Sequence, residues 1–362
     1  MTNTHNFDFN QAIIELDTEK AIKSIEQLGS QIQQIWELSQ AVKFNDSYQD
    51  IDKVVVAGMG GSIIGTHVIQ TVFKDELRVP IIALSDYSLP EYVNAKTLFI
   101  ASSYSGNTEE TLSSVLDAQK KKAKIAGICS GAKLGEFLTK NNYPALIFQP
   151  KYNPNQSPRM GLGYSIFGQT ALLSKLGVLS VSEENYKEVM NVVANAQLKL
   201  SRHVETEENQ AKLLAYNLVN RIPIITATEH LEGVAHVFAN QIHENAKNFA
   251  EFRVIPEINH HLMEGLQFPK SNDGNLIFLT IGSSLYLENN QKRINLTEQV
   301  IKKHQIEVIN HKLQSKTKLT QAFELLILAS YTSYYLALLN NQNPTPNPWV
   351  DWFKDQLVKS RE

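Results

Sequence analysis

Two short segments of the chain carry residue types able to hold an anion. The first is Ser103-Tyr104-Ser105-Gly106-Asn107-Thr108, followed by Glu109-Glu110-Thr111-Leu112, which opens a helix. A phosphate dianion is held best by several donors at once, from hydroxyls and from the unpaired N–H groups of a helix start. This loop offers both, and Gly106 lets its backbone curl. Thr108 also reads as a plain N-cap with acidic residues in a favourable first turn, but a cap alone has no use for Ser103 and Ser105. No lysine or arginine lies inside the loop, and the lysine of a nucleoside-triphosphate P-loop is missing, which points to neutral donors around a modest anion. The second segment is Gly58-Met59-Gly60-Gly61-Ser62-Ile63-Ile64-Gly65. It reads either as a tight turn or as a set of outward-facing N–H groups at a helix start. It departs from the dinucleotide fingerprint G-x-G-x-x-G, because Ile63 stands where the third glycine belongs.

These loops need a scaffold, and the surrounding sequence supplies one. Short apolar, β-branched runs occur at Lys53-Val54-Val55-Val56-Ala57 and at 80–84, 97–101, 124–128 and 145–148, with helical patterns between most of them. Continuous apolar strands alternating with helices predict a parallel sheet covered on both faces. Both loops then follow the carboxyl ends of strands, one and three of the same sheet, where open α/β sheets bind ligands. A second series of strands is expected at 222–226, 252–255, 276–280 and 306–309. Helices are expected at 161–179, 181–202, 234–249 and 319–339. Ile13, Ile14, Leu16, Ile22, Ile25 and Leu28 suggest one apolar helical face near the start. Asn343-Pro344-Thr345-Pro346-Asn347-Pro348 is a proline-set extended link before a last short helix.

The chain has 362 residues, enough for two cores, with 43% hydrophobic and 20% charged residues, which fits a folded protein. A net charge of -3 gives no global basic field, so nucleic acid is not an expected partner. The single cysteine, Cys129, excludes an intrachain disulfide and sits in an apolar run, so burial is its expected state. Met1-Thr2-Asn3-Thr4-His5-Asn6 shows no secretory signal, and no window approaches the roughly 20 apolar residues of a membrane span. No membrane partner and a cytoplasmic location are therefore expected.

Gly58-Met59-Gly60-Gly61-Ser62 together with Ser103-Tyr104-Ser105-Gly106-Asn107-Thr108-Glu109-Glu110-Thr111 resembles the sugar isomerase (SIS) domain, a flavodoxin-like five-stranded parallel sheet usually present twice. Ser157-Pro158-Arg159, Glu244-Asn245-Ala246-Lys247, Pro256-Glu257-Ile258-Asn259-His260 and Pro344-Thr345-Pro346 through Lys354 look like the bifunctional phosphoglucose/phosphomannose isomerase family. The resemblance implies two three-layer α/β/α SIS domains, at 49–180 and 181–342, after an N-terminal helical segment (1–48) and before a C-terminal link and helix (343–362). It implies interconversion of glucose 6-phosphate and mannose 6-phosphate with fructose 6-phosphate through an enediol(ate), without a metal or other cofactor. It also implies a homodimer whose active site is shared across the interface.

The implied site is Gly60, Gly61, Ser62, Ser103, Ser105 and Thr108 for the phosphate, Arg159 beside the enediolate, Glu244 as the base, and His260 with Lys354 for ring opening. The family usually has asparagine after the histidine; here His261 follows, and the register favours His260. Thr345 is a small residue that could widen the pocket near C3. The spacing of His243, Glu244, His260, His261 and Glu264 matches no common helical zinc pair. The alternatives are a sugar-phosphate sensor built on the same domain and a related amino-sugar phosphate isomerase.

Overall fold

The structure is a computed structural model that describes residues 7–360; residues 1–6, where the absence of a signal is read, and 361–362 lie outside it. Nine strands form among the described residues: β1 (Lys53–Ala57), β2 (Ile81–Leu84), β3 (Thr97–Ser103), β4 (Lys124–Cys129), β5 (Ala145–Ile147), β6 (Ile222–Ala227), β7 (Glu251–Val254), β8 (Leu276–Gly282) and β9 (Glu307–Lys312). They make two wholly parallel sheets, ordered β2-β1-β3-β4-β5 and β7-β6-β8-β9. The α/β class and the parallel sheets agree with the sequence, but the second sheet has four strands among the described residues where the resemblance implies five.

Strand residues alternate between two buried surfaces, as a parallel sheet covered on both faces requires. Val54, Val56, Leu98 and Ile100 face a core shared with the second half of the chain. Val55, Ala57, Phe99, Ala101 and Cys129 face a separate outer cluster with Leu134 and Leu138. Ile224 and Phe278 do the same for the second sheet with Ile301 and Ile306. The shared core is organised by helix Lys318–Leu339, which packs against helices Glu232–Ala246, Gln210–Leu218 and Glu183–Leu200. This helix corrects the reading that no stretch is apolar enough to span a membrane. It is long and apolar enough by composition, yet nearly all of it is buried inside the protein.

The N-terminal segment is three helices, Phe9–Leu16, Ala21–Glu26 and Leu28–Ser39, with no single apolar face: Ile14 is exposed. The break comes from Lys20, which is left-handed (φ 62°), and from the buried Asp17 carboxylate, which accepts the Ala21 and Ile22 N–H groups at 2.6 and 2.9 Å. Buried Gln31 then ties this segment to the site. Its amide donates to Ser24 O, Tyr152 O and Met160 O, and its oxygen accepts from Gly163 N. The expected helix over 161–179 is instead a π-helical turn, Gly163–Phe167, continued by helix Gly168–Lys175.

Candidate active site

The two glycine and hydroxyl loops meet at the carboxyl ends of β1 and β3. Ser103 is buried, and its Oγ lies 2.8 Å from Thr108 Oγ1 and accepts from Gly106 N at 3.1 Å. Thr108 occupies the N-cap of helix Glu109–Lys120, but its hydroxyl caps no helix N–H. Ser105 is exposed and accepts from Asn107 N. Ser62 joins the loops: its Oγ accepts from Tyr104 N at 2.8 Å, and its carbonyl accepts from Ser102 Oγ and Gln169 Nε2. Ser62 is thus a structural tie between the loops. Gly60 is exposed and left-handed (φ 49°).

Gly61 explains how an arginine reaches this place. A Cβ at Gly61 would lie 2.9 Å from Pro158 C and 3.0 Å from Arg159 N, so the chain carrying Arg159 runs directly against the first loop. Tyr104 supports the same segment. Its hydroxyl accepts from Asn153 Nδ2 at 2.7 Å, and that amide also donates to Ser157 O. Burial pushes the Tyr104 phenol up to about 12, so it stays protonated.

Arg159 is 5% exposed, and its guanidinium is fully directed. Nε donates to Asn245 Oδ1 at 2.8 Å, Nη2 donates to Pro344 O at 2.8 Å and also to Thr345 O, and Nη1 lies 3.4 Å from Glu244 Oε2. Burial lowers its pKa, opposed by the charges of Glu244 and Asp351, and a guanidinium keeps its proton regardless. Asn245 Nδ2 donates to Ser333 Oγ on the buried core helix, so the plane of Arg159 is referred back to the shared core.

Glu244 sits near the end of helix Glu232–Ala246, with its side chain 32% exposed. Its Oε2 also accepts from Asn347 Nδ2 at 2.9 Å. Its Oε1 accepts no hydrogen bond among the described residues. Lys247 ends the helix in a left-handed conformation (φ 52°), and its ammonium donates to Glu244 O, Asn245 O and Asn343 O. The residue is exposed along its length, but the ammonium turns inward. Lost solvation, then repulsion from Arg159, pulls its pKa down to about 8, against attraction from Glu244. A cavity of about 920 Å³ opens beside these groups, lined by Glu244, Lys247, His243, Asn343, Asn347 and Trp349 among others.

The structure does not bring every expected residue here. His260 is exposed at the end of a 3-10 turn after β7 and shares no hydrogen bond or ion pair with Arg159 or Glu244. His261 is engaged with the Glu257 carboxylate at 2.8 Å. Lys354 is exposed on helix Pro348–Lys359, whose Trp349 is 80% exposed and whose Trp352 and Phe353 are each 57% exposed. The Thr345 hydroxyl accepts from Asn155, and its carbonyl serves Arg159. Among the described residues, no group of three or more His, Cys, Asp or Glu side chains is arranged to hold a metal ion.

Residues 207–357 match the model of the bacterial phospho-glucose isomerase C-terminal SIS domain. A bifunctional phosphoglucose/phosphomannose isomerase of Caldicellulosiruptor bescii is 35% identical over 341 residues, 94% of this chain and 99% of the relative. The chain belongs to the bifunctional phosphoglucose/phosphomannose isomerase family. A second relative of that description, from Thermoplasma volcanium, is 27% identical over 89% of this chain and 97% of its own length. A hypothetical protein of Thermus thermophilus, known from its crystal structure, has the same fold, with a TM-score of 0.76, 15% identity, and coverage of 97% of this chain and 93% of that one.

In this phosphoglucose/phosphomannose isomerase family chain the second sheet repeats the layout of the first with different chemistry. After β6, as after β1, a 3-10 turn precedes a helix, and its first residue is left-handed: Glu229 (φ 52°) stands where Gly60 (φ 49°) does. After β8, as after β3, a loop leads to a helix, here Glu288–Lys303. The Glu229 carboxylate accepts from Leu287 N, the N-cap of that helix, at 2.9 Å and from Asn290 Nδ2 at 2.7 Å. Sequence reasoning passed over Asn347, Lys247 and Glu229 as site-shaping residues, as well as the support Asn245 gives to Arg159. Only the left-handed backbone at the first residue of the 3-10 turn after β6 would have marked Glu229, and a single sequence does not display it.

Proposed function

We propose that this chain interconverts glucose 6-phosphate and mannose 6-phosphate with fructose 6-phosphate. The phosphate binds at Ser103, Ser105 and Thr108, at the N-terminal end of helix Glu109–Lys120. Glu244 takes the proton from C2 of the aldose, or C1 of the ketose, and returns it to the neighbouring carbon. The enediolate formed between these steps carries negative charge on its oxygens, and a fixed cation beside it lowers the barrier. Arg159 fits that role, since burial and four directed bonds hold it against the base. The observation that carries this reading is the Arg159–Glu244 pair, held next to the anion loops by the close approach at Gly61.

Glucose and mannose phosphates differ at C2, the centre the enediol erases, so one base serves both after rotation about C2–C3. Ring opening needs a proton donor and acceptor at O5 and O1. His260 and Lys354 supply them in the assembled enzyme, with His260 coming from a second copy of the chain. The exposed Trp349, Trp352 and Phe353 on the Lys354 helix support such a pairing, since apolar surface of this size favours burial.

The test is direct. Purified protein given fructose 6-phosphate with excess EDTA should yield both aldose phosphates, and Glu244→Gln should bind the sugar without turnover. Activity lost to EDTA and restored by a divalent ion would overturn the metal-free reading; binding without conversion would favour a sensor.

A further inference from the structure

We propose that Asn347 is a positioning residue that fixes the orientation of the Glu244 carboxylate and makes Oε1 the atom that moves the substrate proton. The inference rests on Glu244 being the base. Asn347 occupies the N-cap of helix Pro348–Lys359, a position where asparagine normally accepts from the first helical N–H groups. Here it caps nothing. Its amide turns away from its own helix and donates to Glu244 Oε2 at 2.9 Å, across 103 residues of sequence.

Three features hold Asn347 in place. Pro346 and Pro348 flank it, which restricts the backbone on both sides. The preceding residues 343–345 are locked by Lys247 Nζ on Asn343 O, by Asn155 Nδ2 on Thr345 Oγ1, and by Arg159 Nη2 on the Pro344 and Thr345 carbonyls. Thr345 N closes the turn on Asn343 Oδ1 at 2.9 Å. Asn347 and Arg159 Nη1 then converge on one oxygen of Glu244, from two different segments. A carboxylate with both donors on Oε2 cannot spin freely, and Oε1 is left without a donor among the described residues, on a side chain that lines the cavity. Rotational freedom in a catalytic base costs rate because the near-attack geometry is lost, while substrate affinity, set elsewhere, is untouched.

Asn347→Ala should lower kcat by about 10- to 100-fold for fructose 6-phosphate while its dissociation constant stays within about twofold. In heavy water, a larger share of product should carry solvent deuterium, because a loosely held base exchanges its proton before returning it. Asn347→Ser separates orientation from capping, since serine caps a helix as well as asparagine but cannot reach Glu244. It should behave like the alanine variant. Full kcat in either variant, or unchanged deuterium incorporation in both, overturns the proposal. A wild-type chain that turns over no sugar phosphate refutes the isomerase reading instead, so the two failures are distinguishable.

Discussion

Arg159 Nε donates to Asn245 Oδ1 at 2.8 Å, and this bond, more than the 3.4 Å approach to Glu244, sets the plane of the guanidinium. A planar fork with three of its nitrogens assigned cannot be replaced by a point charge. Arg159→Lys should therefore lose about 100-fold or more in kcat, with a smaller change in KM, in steady-state assays of either aldose product. A variant with near-normal kcat would show that charge alone suffices.

Gly61→Ala tests the contact that brings the arginine to the loops. The new methyl meets the backbone at Pro158 and Arg159, which cannot yield as a side-chain tip would. The expected outcome is a loss of about 1–3 kcal/mol in unfolding free energy, the usual cost of overpacking, together with reduced kcat. Denaturant melts with parallel kinetics measure both.

Lys247 gives opposite pH signatures in stability and in activity. Its pKa in the folded chain, about 8, lies below the ordinary lysine value, so between pH 8 and about 10.4 the unfolded chain holds a proton that the native chain has released. Stability should rise with pH across that window, and Lys247→Met should flatten the rise. Activity should fall over the same range, because the neutral amine holds the Asn343 carbonyl less firmly. Arginine at this position keeps its charge and should move the alkaline limb of kcat upward.

His67 and His236 face each other across helices Ile64–Val72 and Glu232–Ala246, with ring centroids 4.9 Å apart, and His236 stacks on Phe252. Burial, followed by the neighbouring His67 and His243, pulls His236 down to about 4; burial also lowers His67. Between pH 4 and 6.5 the unfolded chain binds protons that the native chain refuses, so stability should drop as the pH falls through that window. The loss should be on the order of 2 kcal/mol, and His236→Phe, which keeps the stack, should remove most of it. Urea midpoints at about pH 4.5 and about pH 7 decide it.

The strands were legible because each is a short apolar run with β-branched residues ended by turn formers, and all nine form within a few residues of where the pattern places them. The glycine and hydroxyl loops fall at the ends of β1 and β3, where the same local pattern places them. Arg159 and Glu244 were named only through the family resemblance, since residue types alone do not say that two side chains 85 residues apart meet. The apolar periodicity near the N-terminus misled, because a left-handed Lys20 resets the helix phase. Asn347 looked like a cap by type and position, and only the direction of its amide says otherwise.

Glu229 has a consequence for stoichiometry. A tethered carboxylate competes with free ligand at an effective concentration of roughly millimolar or more, without dilution and without dissociating from the molecule. At the start of helix Glu288–Lys303 that resident anion already takes the N-cap N–H and the Asn290 amide. The duplicated architecture is therefore unequal: the second half carries a tethered carboxylate at the turn where the first half has Gly60. Titration with fructose 6-phosphate should saturate at one equivalent per chain, however alike the two halves look in outline.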